Sequence, residues 1–208
     1  MGHVILLGDS IFDNARYVPG DPDVVAQLRA ELPVSWKASL LAVDGAVTRN
    51  VAGQMARLPS DATHLVVSVG GNDALGASYI LGSRVPTVAD AVAALAQAQQ
   101  AFASAYEEMV RAVLAAGLPT ALCTIYDTPS WAPDHRIIRT ALAVFNDVIT
   151  RAAFANRLAL IDLRLICGDD EDYANPIEPS AKGGAKMAQA IARLVSTDAD
   201  GSRVLAHP

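Results

Sequence analysis

The chain has 208 residues, 52% of them hydrophobic, and a formal net charge of −6. That length suits one domain whose core covers both faces of a sheet, and an acidic chain with scattered basic residues offers no stripe for nucleic acid. No apolar run approaches the roughly 18 to 20 residues of a bilayer span, and Cys123 and Cys167 are too few for a metal cage or a disulfide framework, so neither a metal nor another cofactor is expected.

The first strand-like segment, Val4 to Leu7, starts so early that no secretory leader is read before it, which makes the cytoplasm the expected location. A helical pattern follows from Asp23 to Glu31, then a strand within Ser35 to Val43 and a helix from Thr48 to Arg57. Leu65 to Val69 reads as the next buried strand, Ala89 to Ala116 as a long scaffold helix, and Thr120 to Ile125 as another strand. Ile137 to Asn156, Leu158 to Leu163 and Ala181 to Val195 complete the series as helix, strand and helix.

Strands that are continuously apolar fit a parallel sheet buried on both faces, and intervening helices supply the crossovers. The expectation is a single α/β domain over 1–195, a three-layer α/β/α sandwich around a central, mainly parallel, five-stranded sheet. Residues 196–208 are small or polar and are expected to fray. In such sheets ligands sit beyond the carboxyl ends of the strands, which gives priority to Ser10, Asn72 and the loop from Tyr126 to His135.

Gly8-Asp9-Ser10 comes straight after the first strand, where glycine permits a tight turn and the serine hydroxyl can stand at the strand end. Ser10 could equally be a helix cap. Gly70-Gly71-Asn72-Asp73 repeats the arrangement after the Leu65 strand, and the Asn72 amide is a donor suited to an oxyanion. Val43-Asp44-Gly45-Ala46-Val47-Thr48 offers the Gly45 N–H as a further donor, although by itself it is only a turn with Thr48 as a cap.

These blocks resemble the SGNH hydrolases, also called the GDSL esterase and lipase family. Gly8-Asp9-Ser10 matches the first block, Gly45 the second and Gly71-Asn72-Asp73 the third. The last block is normally Asp-x-x-His-Pro before the final helix, and Asn175-Pro176-Ile177-Glu178-Pro179 stands in its place. The resemblance implies the flavodoxin-like SGNH fold and an ester hydrolase acting on a small-molecule ester. It also implies that Ser10 is the nucleophile and that its own N–H, the Gly45 N–H and the Asn72 side chain form the oxyanion hole.

One registration puts Glu178 where the family has histidine and Asn175 where it has aspartate; a shifted one pairs Asp172 with Asn175. Neither supplies a histidine. His3 and His64 precede their strands, about 17 Å from the site for a five-residue strand, and His207 lies in the tail, which leaves His135 as the other candidate. Glu178 is the favoured general base, with Asn175 orienting it, although an ordinary Glu is about two pK units more acidic than His. Asp9, Tyr126 and Trp131 are the candidates for contacting substrate. The rival functional reading is a catalytically impaired family member that holds an acylated or glycosylated ligand without turnover. Nucleotide binding would require a phosphate-cradling Gly-rich loop with Lys, and the sequence has none.

Overall fold

The computed structural model describes residues 1–196 and 203–207. Six parallel strands form one sheet: β1 (His3–Gly8), β2 (Lys37–Leu40), β3 (His64–Ser68), β4 (Thr120–Cys123), β5 (Ala159–Ile161) and β6 (Val204–Leu205). Their order across the sheet is β2-β1-β3-β4-β5-β6. The helices are α1 (Val24–Glu31), α2 (Val51–Met55), α3 (Gly71–Gly76), α4 (Val88–Leu114), α5 (His135–Ala155), α6 (Leu163–Ile166) and α7 (Ala181–Val195), with short 3₁₀ turns between some of them.

Two core clusters flank the sheet, and the pleat of β1 feeds both. Val4 and Leu6 pack with Leu28 of α1 and Met187 and Ile191 of α7. Ile5 and Leu7 pack with Tyr106 and Val113 of α4 and Ile149 of α5. Alternate side chains of a strand leave on opposite faces, so a strand with four consecutive apolar residues requires a helical layer on each side. Helix starts follow local chemistry: the Asp23 carboxylate accepts from Ala26 N–H at 2.8 Å, and Thr87 and Asp90 form a reciprocal capping box for α4.

The expected three-layer sandwich is present, with six strands in place of five. The sixth comes from the tail expected to fray: Leu160 N–H donates to the Arg203 carbonyl at 2.7 Å and Asp162 N–H to that of Leu205 at 2.8 Å. A two-residue edge strand is too short to carry a sequence period, and its stability comes from the free edge of β5. The rest of the tail expectation, at 197–202 and 208, lies outside the described residues.

The chain moves outward from β1 to β2 and then returns across β1 to β3, so the loops after β1 and β3 diverge and leave a crevice at the strand ends. Gly8 makes this approach possible. It has φ +125°, and a Cβ there would lie 1.7 Å from the Ser68 carbonyl oxygen. The buried Gln54 amide of α2 then clamps the same residue, accepting from Gly8 N–H at 2.8 Å and donating to its carbonyl at 2.7 Å.

Gly8→Ala should destabilise the domain by about 3 kcal/mol or more, or prevent folding, because backbone strain and a steric clash add together. Gln54→Leu should cost about 1 to 3 kcal/mol by orphaning the buried Gly8 N–H, while the Gly8 carbonyl keeps its bond from Val43 N–H at 3.1 Å. Urea denaturation followed by circular dichroism measures both.

Candidate active site

The turn after β1 is held by its own backbone and by Asp9. Phe12 and Asp13 N–H groups donate to the Asp9 carbonyl at 3.2 and 3.1 Å, and Ile11 N–H donates to Asp9 Oδ1 at 3.1 Å. Ser10 is buried within this turn and caps no helix, since the next helical turn begins at Ala15. Its hydroxyl donates to Glu178 Oε1 at 3.1 Å.

The loop carrying Glu178 is fastened at several points. The Asn175 side-chain oxygen accepts from the N–H groups of Ile177 and Glu178, each at 2.9 Å, and Ala174 N–H donates to the Glu178 carbonyl at 2.9 Å. From the β4 side, the Tyr126 hydroxyl donates to the Ile177 carbonyl and the Thr128 hydroxyl to that of Pro176. Asn175 therefore does not orient the carboxylate as expected; it shapes the turn through backbone N–H groups, a habit of Asn side chains. Glu178 Oε2 is buried without a hydrogen-bond partner in the protein.

The shifted registration leads elsewhere. Asp172 is buried, accepts from Asp169 N–H at 3.0 Å and pairs with Lys186 Nζ at 2.7 Å. His135 opens α5 within electrostatic reach of Asp170, while His3 is bonded to Asp61 and Ser39 at the far end of β1.

Asn72, in the first turn of α3, donates from its amide to the Ala46 carbonyl at 3.0 Å. An amide has two N–H donors, so one can still serve a ligand. Its neighbour Asp73 accepts from both the N–H (2.9 Å) and the hydroxyl (3.0 Å) of Thr48. Thr48 thus ties the second block to the third instead of capping a helix. Gly45 occupies the turn between them with φ +78°, a conformation that favours glycine. Gln54 had no assigned part in the sequence reading; its place three residues after Val51, on the same helix face, was the available signal.

An apolar cavity of about 270 Å³ opens beside these groups, with Asp9, Ser10, Asn72 and Tyr126 in its wall. Trp131 does not join them. It is 53% exposed, because the Pro129 turn buries Ala132 and hydrogen bonds to Asp170 hold Ser130 at the surface.

The electrostatics follow from burial. Asp9 is 2% exposed, and desolvation pushes its carboxyl up to about 8, helped by the nearby Glu178 and Asp73 charges. Desolvation also raises Glu178 above the usual carboxylate range, against the opposing hydrogen bond from Ser10. Among the described residues no His, Cys, Asp and Glu cluster suited to a metal is present, and no helix is long and apolar enough to cross a membrane.

Solved structures share this architecture. An extracellular lipase from Streptomyces rimosus aligns with a TM-score of 0.68 and 16% identity over 95% of this chain and 100% of that one. A phospholipase A1 from Streptomyces albidoflavus gives 0.67 and 19% over 95% and 99%. A carbohydrate acetylesterase from Sinorhizobium meliloti gives 0.66 and 12% over 94% and 99%. At such identities the likeness is one of fold. No curated protein is a significant match to the sequence. The family model for GDSL-like lipases and acylhydrolases, however, matches residues 6–186, from within the first strand into the last helix. The chain belongs to the GDSL-like lipase/acylhydrolase family.

Proposed function

We propose that the protein is a serine-dependent ester hydrolase whose general base is Glu178. The observation that carries the reading is the 3.1 Å hydrogen bond from the Ser10 hydroxyl to Glu178, made beside an apolar cavity at the switch point of the sheet. Family membership supports the reaction class.

In this mechanism Ser10 Oγ attacks the ester carbonyl carbon while its proton passes to Glu178 Oε1. The free N–H of the Asn72 amide, with the Ser10 and Gly45 N–H groups, stabilises the oxyanion. As the tetrahedral intermediate collapses, the carbon–oxygen bond to the alcohol breaks and Glu178 returns the proton to the departing oxygen. Water then attacks the acyl-serine with Glu178 again as base; the acyl carbon–Oγ bond breaks, Glu178 returns the proton to Ser10 Oγ, and the carboxylic acid leaves. Burial makes this use of Glu workable: a carboxylate raised from its ordinary value is a better proton acceptor, and its protonated form persists nearer neutral pH. A neutral Asp9 fits the same scheme, since it puts no negative charge beside a developing oxyanion. We further propose that Asp9 and Tyr126 contact substrate from the cavity wall.

The carboxylate in the position of the family's histidine also favours a second reading, a binding protein descended from an esterase. A fluorophosphonate separates the two, since only an activated Ser10 reacts with it far faster than free serine.

With a p-nitrophenyl ester, Ser10→Ala should abolish turnover; equal rates in the variant and the wild type would overturn the proposal. Glu178→Gln should lower kcat by about 10²- to 10⁴-fold. Because the base must be ionised, kcat/KM should rise with pH through a midpoint above the ordinary Glu range, and Glu178→His should move that midpoint to the imidazole range.

Asp9 makes a separate prediction about stability. Its folded-state pKa lies above the unfolded one, so its contribution is fully present below about pH 4 and is lost as pH rises through about 8. Glu178 is shifted in the same direction, and Asp9→Asn isolates the Asp9 part. The urea midpoint of the wild type should fall more steeply than that of Asp9→Asn between pH 4 and 8.

A further inference from the structure

The cavity beside Ser10 is continuous with the helical layer built on α4 and α5. From that layer, α3 and the 3₁₀ turn before α4 its wall takes Leu75, Leu81, Leu95, Leu142 and Phe145, and Ser78 is the one hydroxyl these elements bring with them. Its volume of about 270 Å³ is many times what a single water needs. An acetyl methyl is comparable in size with a single water and would leave most of the space unfilled. Water there would find few of the two to four polar partners that a buried water takes.

Ser10, Asp9 and Tyr126 approach Glu178 from the cavity wall, and a second set of polar groups approaches it from outside the cavity. Arg16 and Tyr17 both hydrogen-bond to Asp44, all three are within electrostatic reach of Glu178, and none of them contributes to the cavity wall. A base that returns its proton to the departing oxygen must face the alcohol half of the ester. The alcohol therefore belongs on the Glu178 side, and the apolar cavity is left for the acyl chain.

We propose that the cavity is the acyl pocket of an esterase for medium-chain fatty acyl groups, about six to eight carbons long, whose alcohol half departs toward Arg16 and Tyr17. The inference rests on Ser10 as nucleophile and Glu178 as proton carrier. Each methylene moved from water into the pocket is worth about four-fold in kcat/KM, so octanoyl esters should exceed acetyl esters on the order of a thousand-fold.

The decisive comparison is ethyl octanoate against octyl acetate, isomers of one composition that differ in which half carries the chain. Ethyl octanoate should have the higher kcat/KM by about 100-fold or more, and Ala141→Phe, which fills the cavity wall, should lower the octanoate-to-acetate ratio. Equal rates for the isomers, or a preference for octyl acetate, would overturn the acyl assignment and leave the hydrolase reading intact. If neither ester is hydrolysed faster than by Ser10→Ala, the hydrolase reading fails. Calorimetry on the wild type then tests the pocket directly: octanoate binding far tighter than acetate supports it, and equal binding overturns it. Should Ala141→Phe fail to fold, the isomer pair still decides the question with the wild-type protein.

Discussion

Removing carboxyl groups from water is the constraint on which the site depends. Asp9 and Glu178 are both buried beside one hydroxyl, and an apolar cavity adjoins them. Two unpaired anions in such surroundings would cost several kcal/mol each. The structure relieves this by shifting both groups toward their neutral forms and by giving Glu178 a hydrogen bond from Ser10. Desolvation thus turns an ordinary acidic side chain into one that can exchange a proton nearer neutral pH, a property that imidazole has without help.

Placing these groups requires rigid supports from distant parts of the chain. Gly8 lets β1 and β3 approach so closely that any side chain between them would clash, and Gln54 locks the same residue from α2. Asp73 binds Thr48, and Asn72 binds the Ala46 carbonyl, so the second and third motif blocks hold each other. The Glu178 loop is fastened by Asn175 within itself and by Tyr126 from the neighbouring strand end. Each support works on backbone groups, which sets the loops before any ligand enters.

Much of the fold was legible because its signals are local. The apolar runs of β1, β3 and β4 each act within a few residues. The weakest signals failed for the same reason. Val204–Leu205 gains strand character from the edge of β5, Trp131 points outward because of a turn held by Asp170, and Asn175 is occupied by N–H groups two and three residues along. Residue type alone suggested a ring for the pocket and an amide for orienting a carboxylate, and backbone geometry assigned both otherwise.

By itself the sequence determined the layered α/β architecture and the family, and it named Ser10, Gly45, Asn72 and Glu178 as candidates, because hydrophobic periodicity and motif spacing are properties of neighbours along the chain. Only the tertiary structure decided that the Ser10 hydroxyl meets Glu178, with 167 residues of chain between them. It also decided that Asp172 belongs to Lys186, and that an apolar cavity adjoins the pair. Those outcomes depend on which side chains are desolvated together, and burial is set by the packing of the whole domain.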